Sequence, residues 1–251
     1  MIEFESVSRN YGSTKAVVGL DLAVPRGELF AMLGHNGAGK TTSIKMLVGL
    51  LRSDAGRVTI GGFDVARQPR EAAQLVGYVP DEPHLYDKLS GREFLTFVAR
   101  MHGLTPTDAE QAIGREIDRF GLARFVDELT ESYSHGMKQR TVFAAALLHD
   151  PEVLVVDEPL VGLDPQSIRL VKDLLSEHAR RGSAVFMSTH TLTAAEEIAD
   201  RIGVMNRGEL LFLGSLEELR QRHGAGDETL ESLYLSLVGD TQPSAGSEGV
   251  G

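Results

Sequence analysis

The sequence predicts an α/β protein in which helices cover a parallel β-sheet, with antiparallel strands before the sheet and a helical subdomain inserted within it. Residues 153–156 and 184–187 are continuous apolar runs, which is typical of strands covered on both faces. Strands and helices alternate after Pro151, as they do in parallel sheets. Residues 84–150, in contrast, have helical periodicity throughout, which indicates a separate helical body.

The first third of the chain consists of predicted strands separated by turns, with one glycine-rich loop and one helix. The predicted elements are strands at 2–7, 16–24, 28–33, 58–60 and 75–79, and a helix at 41–51. Pro25-Arg26-Gly27 supplies the turn before strand 28–33. The glycine-rich loop therefore lies between a strand and a helix.

Capping residues divide the segment 84–150 into three helices. In chain order, the signals are a capping box at Ser90 and Glu93, the N-cap Thr105 with Pro106 and the terminator Phe120-Gly121, and the N-cap Ser134 with the terminator Asp150-Pro151. Three core helices without any special role would give the same pattern.

The remainder of the chain completes the predicted sheet. Strands are expected at 153–156, 184–187, 202–205 and 210–213, and helices at 167–180, 216–220 and 228–238. Residues 240–251 have almost nothing to bury and are expected to be disordered. The expected organisation is a domain over 1–222, with a core of 1–83 and 151–222 and the helical subdomain 84–150, then a C-terminal helix in 223–239 and a tail at 240–251.

Composition excludes several classes of protein. The 251 residues include no cysteine, which excludes a disulfide framework and thiolate-bound metal clusters. The net charge of −11 has the wrong sign for a protein that covers a nucleic-acid backbone or an anionic membrane. No apolar run approaches the ~18–20 residues that span a bilayer, and the acidic start does not match a signal peptide. We therefore expect a cytoplasmic protein that does not bind nucleic acid.

Residues 34–41 carry the most specific motif of the chain. Their sequence, Gly34-His35-Asn36-Gly37-Ala38-Gly39-Lys40-Thr41, matches GxxxxGK[ST]. The glycines allow successive backbone N–H groups to surround phosphate oxygens, and the following helix N-terminus adds positive potential. Lys40 then reaches the β- and γ-phosphates, and Thr41 ligates Mg²⁺. The alternative is a glycine-rich connector without a ligand.

Two adjacent carboxylates follow the apolar strand 153–156. Ligands of open parallel sheets bind at the carboxyl ends of the strands, so Asp157 and Glu158 are expected close to the loop around Lys40. Asp157 can hold the Mg²⁺ shell, and Glu158 can activate the attacking water as a general base. A strand that ends in Asp-Glu is common by itself, but together with the loop it favours a phosphate hydrolase.

Three further segments complete a resemblance to a known family. The segment 134–140 precedes Asp157, Gly162-Leu163-Asp164 follows Glu158, and Ser188-Thr189-His190 ends the next strand. In this order the motifs over about residues 2–222 resemble the ATP-binding-cassette (ABC) ATPases. The resemblance implies a P-loop NTPase (RecA-like) core, ATP and Mg²⁺ as ligands, and a head-to-tail homodimer that holds ATP between the two copies.

The resemblance also implies roles for individual residues. Ser134 and the Gly136 N–H would bind the γ-phosphate of the partner copy, Asp164 would communicate between the sites, and His190 would contact the γ-phosphate. Tyr11 would stack on adenine, although it could simply pack beside a strand, and His190 could be a strand-end histidine. The implied nucleotide contacts are Tyr11, Gly34, His35, Asn36, Gly37, Ala38, Gly39, Lys40, Thr41, Thr42, Ser134, Gly136 and Asp164.

Two positions depart from the family pattern. Asp81 stands where the family usually has a glutamine that reaches Mg²⁺ and the attacking water, so Asp81 is a candidate ligand of both. In the segment 134–140, His135 replaces a glycine and Met137 replaces a glutamine. These departures resemble single-cassette subunits of bacterial exporters of the multidrug and ion efflux type.

The leading functional interpretation is an ATPase subunit that powers a separate membrane permease and lies on the inner face of the membrane through that permease. The residues expected to offer the permease an apolar groove are Leu85, Tyr86, Phe94 and Phe97, although the first two could merely cover the subdomain core. One alternative is a soluble ABC ATPase that acts on nucleic acid or ribosomes, which the net charge disfavours. Another is a P-loop kinase or GTPase, which the order of the motifs disfavours.

Overall fold

Two β-sheets organise the chain in the computed structural model, which describes residues 1–222 and 229–239. In chain order the elements are β1 (Ile2–Tyr11), β2 (Thr14–Val24), β3 (Leu29–Leu33), α1 (Lys40–Leu47), β4 (Ala55–Ile60), β5 (Phe63–Asp64), α2 (Pro69–Gln74), β6 (Val76–Val79), α3 (Gly91–Met101), α4 (Pro106–Phe120), a 3-10 turn (Thr130–Ser132), α5 (His135–Leu147), β7 (Val153–Asp157), α6 (Pro165–Arg180), β8 (Ala184–Thr189), α7 (Leu192–Ile198), β9 (Arg201–Asn206), β10 (Glu209–Gly214), α8 (Leu216–Arg222) and α9 (Leu230–Gly239).

The larger sheet places the functional loops at one edge. Its strand order is β10-β9-β3-β8-β7-β6, in which only the terminal β10 pairs antiparallel to its neighbour. The strands β3 and β7 therefore lie on either side of β8 and end at the same edge. The smaller sheet has the order β2-β1-β4-β5 and is antiparallel throughout. This arrangement confirms the predicted fold class.

The larger sheet is buried on both faces, as its apolar runs predict. Along β3, Leu29, Ala31 and Leu33 pack in the hydrophobic cluster that includes the helical subdomain. The alternate residues Phe30 and Met32 pack in a second cluster with the antiparallel sheet. Because side chains of a strand alternate between faces, a strand inside two clusters needs apolar residues at every position.

The helical subdomain follows the capping signals of its sequence. The Ser90 hydroxyl and the Glu93 carboxylate form the capping box of α3. Thr105 caps α4, which ends at Gly121 in the left-handed conformation with φ of 60°. Ser134 caps α5 by accepting a hydrogen bond from the Met137 N–H.

Several boundaries differ from the predictions. The helix expected at 41–51 is α1, which begins at Lys40 and ends at Leu47, where Gly49 follows with a φ of +77°. The short helices α2 and α7 and the two-residue strand β5 are absent from the predictions, because so few residues show no clear period. The disorder expected at 240–251 falls outside the described residues. None of the helices within 1–222 and 229–239 is long and apolar enough to cross a bilayer.

Candidate functional site

The loop between β3 and α1 encloses the side chain of Lys40. This side chain is only 5% exposed, and its Nζ donates to the backbone oxygens of Gly34 at 2.7 Å and His35 at 3.4 Å. Gly39 has a φ of +115°, and a Cβ there would lie 2.5 Å from the Ala16 oxygen. The loop therefore needs glycine at this position for both conformation and space.

The loop also rests on the end of β9. A Cβ at Gly34 would lie 2.6 Å from the Met205 oxygen, and the His35 Nε2 is 2.9 Å from the Asn206 Oδ1. The Gly208 N–H donates to the Ala38 oxygen at 2.8 Å. These contacts hold the backbone of the loop against β9 and the turn that follows it. A glycine-rich backbone held in this way suits binding of a phosphate group.

Asp157 lies at the end of β7, fully buried beside the loop. It pairs in the parallel register with Ser188 of β8, and the Ser188 hydroxyl donates to Asp157 Oδ1. Burial raises the pKa of Asp157, hydrogen bonds from Ser188 and Thr41 lower it, and the nearby charges of Asp81 and Glu158 raise it again. The sequence predicted Asp157 and Thr41 as site residues but assigned no role to Ser188. Only the register between β7 and β8 shows that Ser188 lies beside Asp157.

The carboxyl group of Asp157 has the features of a metal ligand. Its Oδ2 is buried without a hydrogen-bond partner among the described residues. The Thr41 hydroxyl lies near enough to the same carboxyl group to lower its pKa. An oxygen pair of this kind suits Mg²⁺, which usually takes one or two protein ligands and fills its shell with water and phosphate. Within the described residues no group of three His, Cys, Asp or Glu forms a metal cage. The residues present thus fit a Mg²⁺ ion shared with a phosphate ligand.

Glu158 follows Asp157 in the left-handed region, with a φ of 47°. Its N–H donates to the Ser188 oxygen at 3.1 Å, and this bond holds the strained residue at the strand end. Glu158 Oε2 is 2.9 Å from His190 Nδ1 and accepts from the His190 N–H at 3.2 Å. The structure thus brings together the predicted general base and the predicted γ-phosphate contact.

The charges of Lys40 and Glu158 complete this cluster. Lys40 Nζ lies 3.2 Å from Glu158 Oε1, and the Glu158 side chain is 15% exposed. The contact is an ion pair rather than an aligned hydrogen bond, since Glu158 Oε1 has no hydrogen-bond partner within the described residues. A cation, two carboxylates and a histidine therefore meet at the carboxyl edge of the parallel sheet.

Asp81 lies after β6 at the same edge and is exposed. Its Oδ1 accepts from the Glu82 N–H at 2.9 Å, and its charge acts on both Asp157 and Tyr78. Burial raises the pKa of the Tyr78 phenol, and the charges of Asp157 and Asp81 raise it further. Asp81 is therefore near the carboxylate pair electrostatically but has no direct contact with it among the described hydrogen bonds.

Three of the remaining predicted residues, Ser134, Asp164 and Tyr11, are exposed, whereas Thr42 and Gly136 are half-buried. Ser134 caps α5, and Asp164 caps α6 by accepting from the Gln166 and Ser167 N–H groups at 3.0 Å. No hydrogen bond in the described part of the chain joins Ser134, Gly136 or Asp164 to the loop at 34–41. Tyr11 is 49% exposed, with the Arg9 guanidinium 5.3 Å from its ring centre. One face of the Tyr11 ring is therefore covered by the Arg9 guanidinium.

Comparisons with known proteins find similar sequences and a similar fold. A family model described as ABC transporter matches residues 17–161. The linearmycin resistance ATP-binding protein LnrL of Bacillus subtilis (strain 168) is 36% identical over 240 residues, covering 96% of this chain and 76% of that protein. The daunorubicin resistance ATP-binding protein DrrA3 of Streptomyces coeruleorubidus is 37% identical over 223 residues, covering 89% and 71%. A solved structure described as the ATP binding subunit of an ABC transporter aligns with a TM-score of 0.90 at 31% identity, covering 94% of this chain and 99% of that chain.

Proposed function

This chain belongs to the ABC transporter family as an ATP-binding and ATP-hydrolysing subunit, and from that premise we propose that two copies of it, with Mg²⁺, power export through a separate integral membrane permease. The observation that carries the proposal is the meeting of Lys40, Asp157 and Glu158 at one edge of the parallel sheet. These three side chains supply the cation, the metal ligand and the base that hydrolysis of ATP requires.

Binding and orientation of ATP fall to the loop at 34–41. Its backbone N–H groups and Lys40 hold the β- and γ-phosphates, and Thr42 follows Thr41 in the first turn of α1. Thr41 and Asp157 would hold Mg²⁺, and the ion would neutralise part of the phosphate charge. Asp81, whose charge acts on Asp157, would be a further ligand of the metal and of the attacking water. Tyr11 offers its half-exposed ring to the adenine.

The chemical step uses Glu158 as the general base. A water oxygen attacks the γ-phosphorus while the bond from that phosphorus to the bridging oxygen breaks, and the water proton passes to the Glu158 carboxylate. The His190 Nδ1 bond to Glu158 Oε2 orients this carboxylate. The same bond keeps the His190 ring at the site, where its other nitrogen is free to meet the γ-phosphate.

The homodimer is supported by residues at two helix N-termini. The exposed Ser134 caps α5, and Gly136 lies in the first turn of that helix, whose N-terminus favours a phosphate anion. The exposed Asp164 caps α6. In the dimer that the family resemblance implies, these residues meet the nucleotide of the partner copy.

The surface that would bind the permease is an apolar groove between β6, α3 and α5. A cavity of about 380 Å³ lies there, and its lining includes Leu50, Tyr78, Phe94, Val98 and His149. Of the four side chains that the sequence suggested, only Phe94 lines it. Tyr86 instead packs on Phe94 and Phe97, with ring centres 6.2 and 5.7 Å apart, and extends the apolar surface beside the groove.

Export is supported by the relatives whose names attach them to resistance against linearmycin and daunorubicin. The alternative of a soluble ABC ATPase acting on nucleic acid or ribosomes has less support, because the net charge of −11 opposes contact with a phosphate backbone. Peripheral attachment to the inner face of the membrane follows from a permease partner.

The test is membrane fractionation of cells with and without the permease gene, expected next to the gene of this chain. The protein should sediment with membranes only when the permease is present. Leu50→Glu should release it, because Leu50 is 68% exposed and lines the groove. Met101→Glu is the matched control, since Met101 is 71% exposed but lies outside the groove lining. Membrane association without the permease would contradict the proposal.

A further inference from the structure

The C-terminal helix α9 reaches the phosphate loop through one side chain. A cavity of about 300 Å³ lies against the start of this loop and is lined by Gly34, His35, Asn36, His190, Leu192 and Tyr234. Five of these residues belong to the loop or to the segment that begins with His190. Tyr234 is the one contribution from α9, and none of the motifs in the sequence includes it.

The phenol of Tyr234 lies beside the backbone of the loop. Tyr234 and His35, the second residue of the loop, line the same cavity. Burial raises the pKa of Tyr234, and the nearby His35 N–H lowers it to a smaller extent. The His35 ring is held independently, because its Nδ1 lies 2.7 Å from the Asn36 oxygen and its Nε2 bonds Asn206. The main chain and the side chain of His35 therefore have separate supports.

The position of Tyr234 is set by the packing of α9. Leu230 and Leu233 of this helix are buried in the main hydrophobic cluster, and Tyr234 packs against that cluster from the edge. The helix contacts α7, which begins two residues after His190. In contrast, Leu235 is 61% exposed. The helix thus directs Tyr234 inward and its neighbour outward.

We propose that Tyr234 is a positioning residue of the ATP site, which holds the His35 amide and closes the γ-phosphate end of the loop. The inference rests on the proposed function, in which His190 contacts the γ-phosphate, because His190 lines the same cavity as Tyr234. The C-terminal helix then helps the site to respond differently to bound ATP and to bound ADP. A helix that only packs on the body of the protein would affect stability and leave the two responses unchanged.

The first test is kinetic. Tyr234→Phe keeps the ring and loses the hydroxyl, so kcat should fall about two- to tenfold, the effect of one hydrogen bond, while the melting temperature stays close to that of the unchanged chain. Tyr234→Ala should lower both kcat and the melting temperature. Leu235→Ala is the matched control, and its kcat should not change. Equal kcat and KM for Tyr234→Phe and the unchanged chain would overturn the inference.

The second test measures binding without hydrolysis. The chain contains no tryptophan, so Tyr234→Trp places a single fluorescent reporter in the cavity. In the Glu158→Gln background, ATP should change the tryptophan emission more than ADP does, and Leu235→Trp should respond equally to both. The same emission with ATP and ADP, together with ATP binding by calorimetry, would overturn the role of Tyr234 alone. Absence of calorimetric ATP binding to the unchanged chain would overturn the proposed function and this inference with it.

Discussion

The ammonium of Lys40 and the carboxylate of Glu158 form an ion pair with a 3.2 Å separation in an almost fully shielded site. The lysine also donates to the Gly34 oxygen at 2.7 Å. A phosphate that enters the loop would compete with the carboxylate for the lysine, which has three N–H donors to share. We expect this competition to weaken the hold of Lys40 on Glu158 when ATP is bound.

Removal of the lysine should weaken nucleotide binding. We expect Lys40→Ala to lower ATP affinity by roughly ten- to a hundredfold or more, since charge-assisted hydrogen bonds contribute about 1.5–3 kcal/mol. Calorimetric titration with ATP and Mg²⁺ measures the effect. Lys45→Ala is the control, because Lys45 lies exposed on the same helix. Unchanged affinity in Lys40→Ala would exclude this loop as the phosphate site.

Neutralising the base should separate binding from hydrolysis. Glu158→Gln removes the negative partner of Lys40, so ATP binding should be retained or become tighter, while turnover should slow by roughly 10² to 10⁴. A dimer with bound ATP should accumulate, which light scattering after size-exclusion chromatography can measure. Normal turnover in this variant would mean that another group accepts the proton.

Asp81 should affect hydrolysis more than binding. Its charge acts on Asp157. The family resemblance predicts that Asp81 takes the place of a glutamine that reaches the metal and the water. We expect Asp81→Ala to lower kcat with little change in ATP affinity, whereas Asp81→Gln should keep most of the activity. Measurement of kcat and of ATP affinity for both variants tests this. If the unchanged chain, Asp81→Ala and Asp81→Gln all had the same kcat, Asp81 would have no role in hydrolysis.

A stacked histidine pair should make stability depend on pH. The rings of His102 and His149 are 3.6 Å apart and 10° from parallel, and His149 Nε2 bonds the Val76 oxygen. Burial lowers the pKa of His149 from 6.5 to about 4, with a further lowering by His102. The unfolded chain then takes up the proton first, so this contribution to stability is complete above pH 6.5 and is lost as the pH falls toward 4.

The measurement is urea unfolding of the chain and of His149→Gln between pH 7 and pH 4. The amide of glutamine can still donate to the Val76 oxygen but does not titrate. The loss of unfolding free energy on acidification should therefore be smaller in the variant, by up to about 3 kcal/mol. Burial also lowers the pKa values of His102 and His178, so some pH dependence should remain. Identical pH profiles would contradict the assignment to His149.

Much of the architecture could be predicted because its signals are local. The capping box of Ser90 and Glu93, the terminating Gly121 and the apolar runs of β7 and β8 each depend on a few neighbouring residues. The helices α2 and α7 were missed because six or seven residues do not establish a period. The groove was predicted only partly, since which faces of α3 and β6 turn toward it depends on packing between distant segments.

By itself, the sequence determined the phosphate loop, its place between a strand and a helix, and the order of the family motifs. Glycine spacing and a helix N-terminus are properties of one continuous segment, so they can be read without coordinates. Only the tertiary structure decided that Ser188 bonds Asp157, that Glu158 reaches Lys40, and that Tyr234 lines one cavity with His35. Each of these contacts joins segments far apart in the chain, and their approach depends on the order β3-β8-β7 and on the packing of α9.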